Sequence, residues 1–135
     1  VNDEFKDDIQ IVLAAVIQEG TKLYYASDNL KNNFELALIA ILNRPRAFKY
    51  VSEELKENKN FVSIALLADG RVLEFVSDKF KNDKDLVLIA FEKNKYSEEI
   101  FEYVSDELKA NKEFILKVLE KNGNIFINVS ENFKK

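Results

Sequence analysis

The chain has 135 residues, 47% of them apolar and 33% charged, with a net charge of −4. That is a folded, soluble composition, long enough for one domain whose core hides roughly two thirds of the unfolded surface. Histidine and cysteine are absent, which removes the commonest general base, the commonest metal ligand, disulfides and thiolate sites.

The acidic balance argues against a general polyanion-binding surface, and the longest apolar run, Ile11 to Ile17, is far short of a membrane span. The opening residues VNDEFK read as the tail of a phrase that returns as YVSEELK from Tyr50 and YVSDELK from Tyr103. Residues 1–135 are therefore read as one repeat domain, and as part of a longer protein. Val1, Ala26, Val51, Val76, Val104 and Val129 begin successive copies, 25 residues apart except for one spacing of 28. Such self-similarity marks an array whose units cannot bury their own apolar faces and must stack.

In the first unit Asp8 precedes the run IVLAAVI, which Gly20 follows. An Asp or Asn in that place recurs as Asn33, Asn58, Asp83 and Asn111, the residue types that cap helix N-termini through a side-chain oxygen. The glycines Gly20, Gly70 and Gly123 predict left-handed residues closing each apolar helix. In the second unit Pro45 takes that place and suits the first turn of the next helix. Phe48, Val51 and Leu55, and then Leu73, Val76 and Phe80 in the third unit, are spaced three and four apart, the stripe of a second helix. The fourth unit carries an insertion, EKNKYSEEIFE from Glu92 to Glu102. There Tyr96 is an exposed candidate anchor and Ser97 a candidate cap, with Glu98 and Glu99 in the first turn behind it. In the fifth unit Lys117 stands where earlier copies have Ile39, Ile64 and Ile89; a lysine between packed helices is costly, so residues 104–135 are expected to form a C-terminal capping repeat. The prediction is an all-α fold: an α-solenoid of five two-helix repeats with a helical stub at residues 1–6, the short antiparallel pairs forming a right-handed or curved stack.

The segments VSDELKANKEFILKVLEKNG and ASDNLKNNFELALIAIL, with their Ser-acidic segment, Asn or Asp cap and closing glycine, resemble the bacterial helical repeats of domain-of-unknown-function family 4116. The resemblance covers essentially the whole chain. It implies a helical repeat fold and brings no catalytic residue with it.

The regular columns read as scaffold. Lys6, Lys31, Lys56, Lys81, Lys109 and Lys134 each follow an acid three residues earlier, an i,i+3 helical pairing near a helix C-terminus. Tyr25, Tyr50, Phe75 and Tyr103 fit the edge of a core stripe better than a base-stacking ladder, since no basic residue regularly flanks them. The serine column, Ser27 to Ser130, lacks a base to activate a nucleophile, and suits a hydroxyl bonded back to its own helix. Irregular positions carry more information. The three arginines, Arg44, Arg46 and Arg71, all fall at turns of the second and third units. With Tyr96 they are the candidate partner-binding residues.

These features predict a non-catalytic interaction module that presents an extended surface to a protein or peptide, without cofactor, metal or nucleic acid. The alternative is a spacer that positions a neighbouring catalytic or effector domain. An interaction module requires a concave or apolar exposed surface, whereas a spacer requires only a charged one. Compartment, oligomeric state and partner are not encoded in these patterns.

Overall fold

A computed structural model describes residues 3–93 and 95–133, with the side chains of Asp3, Asn132 and Phe133 left aside. Every element among the described residues is helical. Short α-helices α1 (Asp3–Lys6), α3 (Asp28–Lys31), α5 (Glu53–Glu57), α7 (Asp78–Lys81) and α10 (Asp106–Lys109) alternate with longer ones. The longer helices are α2 (Ile9–Gln18), α4 (Phe34–Asn43), α6 (Lys59–Ala68), α8 (Lys84–Ala90) and α11 (Lys112–Lys121). Three-residue-per-turn 3-10 helices follow at Gly20–Tyr25, Pro45–Tyr50, Gly70–Phe75 and Gly123–Ile125. The inserted turn is followed by α9 (Ser97–Glu102), and the described chain ends in α12 (Phe126–Phe133).

All five expected caps form. Asp8, Asn33, Asn58, Asp83 and Asn111 each accept a hydrogen bond from backbone amides in the first turn of the helix that follows. The second helix of the first four repeats, in contrast, is two pieces. Ala26, Val51 and Val76 are extended, with ψ near 160°, so the chain leaves its 3-10 segment, straightens for a residue and re-enters a helix at serine. The oxygens of Ser27, Ser52 and Ser105 accept from the amides of Leu30, Leu55 and Leu108. The amides of the same serines donate to the carbonyls of Lys6, Lys31 and Lys81 in the preceding repeat, at 2.8 to 3.1 Å. The serine column is therefore a set of N-caps whose bends are tied to the neighbouring unit. The apolar stripe survives the break, since Val51, Leu55, Leu73, Val76 and Phe80 are all buried.

The repeats stack through the long helices into one apolar core running from Val12 to Val129. In the second to fifth repeats the third and seventh positions after the cap face the preceding repeat. Leu36, Phe61, Leu86 and Phe114 fill the former place, and Ala40, Ala65, Ala90 and Val118 the latter, all at most 4% exposed. None of the three glycines closes a left-handed turn, because none has a positive φ, and two of them serve this junction. A Cβ on Gly20 would lie 2.1 Å from the carbonyl oxygen of Ala40, and one on Gly70 the same distance from that of Ala90. Each glycine lets the start of a 3-10 segment rest on the next repeat's backbone. Gly123 meets nothing within 4 Å.

Lys117 does not mark a capping repeat by standing in a buried column. Ile39 and Ile64 are 36% and 38% exposed and Ile89 is only partly buried, so that column lies at the edge of the core and not within it, and Lys117 sits there beside Glu113. What distinguishes the last repeat is α12, which runs unbroken through Ser130; that hydroxyl donates back to Ile127 O and no bend forms.

A polar clasp links neighbouring short helices. Asn82 accepts from the hydroxyl of Ser105 and donates to Glu107 at 2.8 Å, and Asn32 does the same for Ser52 and Glu54. In the third repeat Glu57 takes this place, pairing instead with Lys79 at 2.6 Å, and Ser77 makes no side-chain cap bond. We expect Asn82→Ala to lower stability by about 1 kcal/mol, the usual worth of a hydrogen bond, and Glu57→Ala to change it by less than about 0.5 kcal/mol. Urea unfolding of both variants checks this; equal losses would remove the clasp from the account.

A second cross-repeat tie is ionic. Lys59 lies 2.9 Å from Asp83, the cap of α8. Burial alone pushes the Asp83 carboxyl up, but the Lys59 ammonium and the Leu86 and Asp85 amides outweigh it and hold it below the usual aspartate range. Hydrogen bonding to Asp83 in turn raises Lys59. The aspartate's contribution is complete above the unfolded value, near pH 3.9, and is lost as pH falls through its lower folded value. The lysine's contribution is present below about pH 10.4 and is lost as pH rises through its raised one. Asp83→Asn, which can still cap, is expected to flatten the acid side of the melting-temperature profile below about pH 4. An unchanged acid side would contradict the assignment.

Candidate functional site

Although each long helix is apolar nearly all round, its sides differ. The sixth and ninth positions after the cap point away from both neighbours. In the first three repeats they hold Ala14, which is exposed, and Ile17, Ile39, Leu42, Ile64 and Leu67, which are 54%, 36%, 62%, 38% and 45% exposed. An apolar row therefore crosses the outer face of α2, α4 and α6. In the fourth repeat the sixth position is Ile89, partly buried against the core, and the ninth is Glu92; in the fifth, Lys117 and Glu120 take both places and the row has ended. None of Ile17, Ile39, Leu42, Ile64 and Leu67 belongs to the buried core cluster.

At its far end the row opens into a cleft of about 310 Å³ between the ends of α4, α6 and α8. Leu42 and Leu67 form part of its wall, and Arg71, Lys93, Lys95 and Tyr96 supply the rim. Arg71 is held on two sides. Its Nε and one terminal nitrogen donate to Asp69 at 3.1 and 2.8 Å, while its guanidinium lies 3.8 Å from the centre of the Tyr96 ring. Asp69 raises the Arg71 pKa further, against the effect of burial. Tyr96 has φ of 59°, a left-handed conformation uncommon outside glycine and asparagine. The arginine stack holds the ring of that strained residue over the cleft.

The four residues singled out from sequence thus divide. Arg71 and Tyr96 are brought together in the cleft. Arg44 is engaged elsewhere, with Glu19 at 3.3 Å and with the Asn43 carbonyl. Arg46 is exposed on the Pro45–Tyr50 segment, outside the cleft lining. Ser97 does not cap α9, because Tyr96 holds the N-cap position. Its buried hydroxyl donates instead to Asn122 at 2.6 Å, and Asn122 in turn donates to the Phe91 carbonyl. The insertion is fastened to the fifth repeat by that chain of bonds. Leu42 and Leu67 also line the cleft and are not among the sequence candidates, though the change from Leu to Glu92 and Glu120 in their column is a signal that it is not core.

The regular columns are occupied by packing. Lys56 pairs with Glu53 at 3.2 Å, whereas Lys31, Lys81 and Lys109 lie 5.5, 5.9 and 5.4 Å from the ring centres of Tyr24, Tyr103 and Phe101. Lys134 lies outside the described residues. Tyr50, Phe75 and Tyr103 pack against the core. Burial, then Glu74 and Glu102, raise the Tyr103 phenol above its ordinary value. Tyr25 is exposed and meets Tyr24 edge-on. Among the described residues, no three carboxylates are grouped to hold a metal ion, no buried side-chain polar atom lacks a partner, and no helix is long and apolar enough to cross a membrane.

A family model described as a domain of unknown function, DUF4116, matches residues 8–56, 58–97 and 95–134. The first two matches begin at or beside the caps of α2 and α6, so one family unit takes in about two of the 25-residue copies. No curated protein and no solved structure gives a significant match.

Proposed function

The chain belongs to the DUF4116 family of helical repeats, and from that premise we propose that it is a non-catalytic interaction module, whose outer long-helix face receives a protein or peptide. The apolar row of Ile17, Ile39, Leu42, Ile64 and Leu67 carries this reading. Exposed apolar side chains scattered singly are ordinary, but their recurrence at equivalent places in three successive repeats is the kind of pattern that marks a partner surface. Arg71 and Tyr96 border one end of it. Absence of histidine and cysteine, and the placing of carboxylates in caps and ion pairs, support the non-catalytic half of the proposal.

Selection from a displayed library of random peptides tests it. Binders should be recovered whose attachment is lost on Leu42→Gln/Leu67→Gln, substitutions confined to the row. Recovery of no binders, or only of binders indifferent to these changes, would leave the face without a role.

A further inference from the structure

The cleft at the end of the row has a charge that the rest of the chain does not. Three of its lining residues are basic, Arg71, Lys93 and Lys95, and one is acidic, Asp69, in a chain whose acids outnumber its bases by 24 to 20. The single carboxylate of the lining is already bonded twice to Arg71, and Glu99, outside the lining, acts on the same guanidinium, which leaves Lys93 and Lys95 as the cleft's outward charge. Lys95 stands 5.2 Å from the centre of the Tyr96 ring, and Lys93 is exposed at the rim. Leu42 and Leu67 present apolar surface directly beside these cations.

Spacing adds a second constraint. Packed helices lie about 8–10 Å apart, so Ile17, Leu42 and Leu67, each at the same place in successive long helices, offer apolar contacts at about that interval. Seven residues of an α-helix rise about 10.5 Å. A partner helix lying across the array therefore meets the row with apolar residues seven apart. We propose that the occupant is an amphipathic helix whose apolar anchors are flanked by carboxylates, its acidic end lying over Lys93 and Lys95. This rests on the reading of the outer face as an interaction surface and names the chemistry of what it receives.

The test uses two synthetic helical peptides of about 18 residues, enough for two heptads and their ends. Both carry leucine at heptad spacing; one has glutamate at the flanking positions and the other lysine. Fluorescence anisotropy at low salt should show the glutamate peptide binding about tenfold more tightly, the sum of a few exposed charge pairs. The preference should shrink as salt is added and disappear or reverse on Lys93→Glu/Lys95→Glu. Equal binding of the two peptides, lost on Leu42→Gln/Leu67→Gln, overturns the acidic partner while leaving the interaction surface standing. Tighter binding of the lysine peptide, or of neither, also overturns it; the wider reading is then judged by the library selection alone.

Discussion

Replacing Gly70 by alanine is expected to destabilise the protein by about 2–3 kcal/mol, the cost of forcing a group into a packed junction. For a domain of this length that is a fall of roughly 10 °C in melting temperature. The atom in the way is the Ala90 carbonyl oxygen, 2.1 Å from where the new Cβ must go, and the Ile100 side chain lies at 2.6 Å. The side chain could turn aside. A backbone carbonyl in the closing turn of a packed helix cannot do so without shifting that turn, so the end of α8 must move away from the Gly70–Phe75 segment, or the segment from α8. Gly20→Ala should behave alike, since it meets the Ala40 carbonyl at the same distance. Pro45 holds the equivalent place in the second repeat, so a junction can be built around a Cβ, but the first and third are not. Gly123→Ala supplies the internal control: with open space around it, alanine should be neutral or raise stability by up to about 1 kcal/mol by restricting the unfolded chain. Thermal unfolding of the three variants separates them. Were Gly123→Ala as damaging as Gly70→Ala, the glycines would be serving some local turn requirement and not the junction.

A larger loss is expected at Phe61. Its ring is fully buried, with Phe34 edge-on at 5.1 Å and Phe48 nearly parallel at 6.3 Å. Those partners belong to the second repeat, so the cluster fastens the third repeat to the one before it at the middle of the stack. Phe61→Ala removes the ring and leaves a cavity, for about 3–5 kcal/mol. In a repeat array the loss falls on one nearest-neighbour junction. We therefore expect denaturant unfolding of the variant to broaden or split in two, the halves on either side of the junction losing their coupling. A transition that stays single and as steep as the parent's would show that coupling across this junction does not depend on the ring.

These two residues also show what could be read from sequence. The repeat period, the five Asn or Asp caps and the all-helical class followed from residue types at fixed spacing, since capping chemistry is local. Gly70 was marked by its recurrence but explained wrongly: a glycine required by a neighbouring repeat's carbonyl looks, in sequence, the same as one required by a left-handed turn. The break at Val51 and Val76 was hidden for a related reason. The apolar stripe continues across it in space, and only the following serine and acid signalled a new helix start. The outer row was the least visible. A dense apolar helix reads as buried all round, and Leu42 differs from Ile41 only in direction. Evidence that the ninth-position column is exposed was present in Glu92 and Glu120, which a core could not tolerate. Tyr96 and Arg71 were legible as irregularities, but their stacking depends on how an inserted turn folds back across a repeat boundary, which no local pattern encodes.

The central claim is that the array separates a regular interior, used up in stacking, from an apolar row left free for a partner. Thermal unfolding of Leu42→Gln/Leu67→Gln tests it most directly. Glutamine keeps the helix propensity of leucine while removing the apolar surface. If the row is spare, the double variant should melt within about 1 kcal/mol of the parent, as exposed substitutions do. A loss of several kcal/mol, on the scale of a core truncation, would place these leucines in the scaffold and contradict the account.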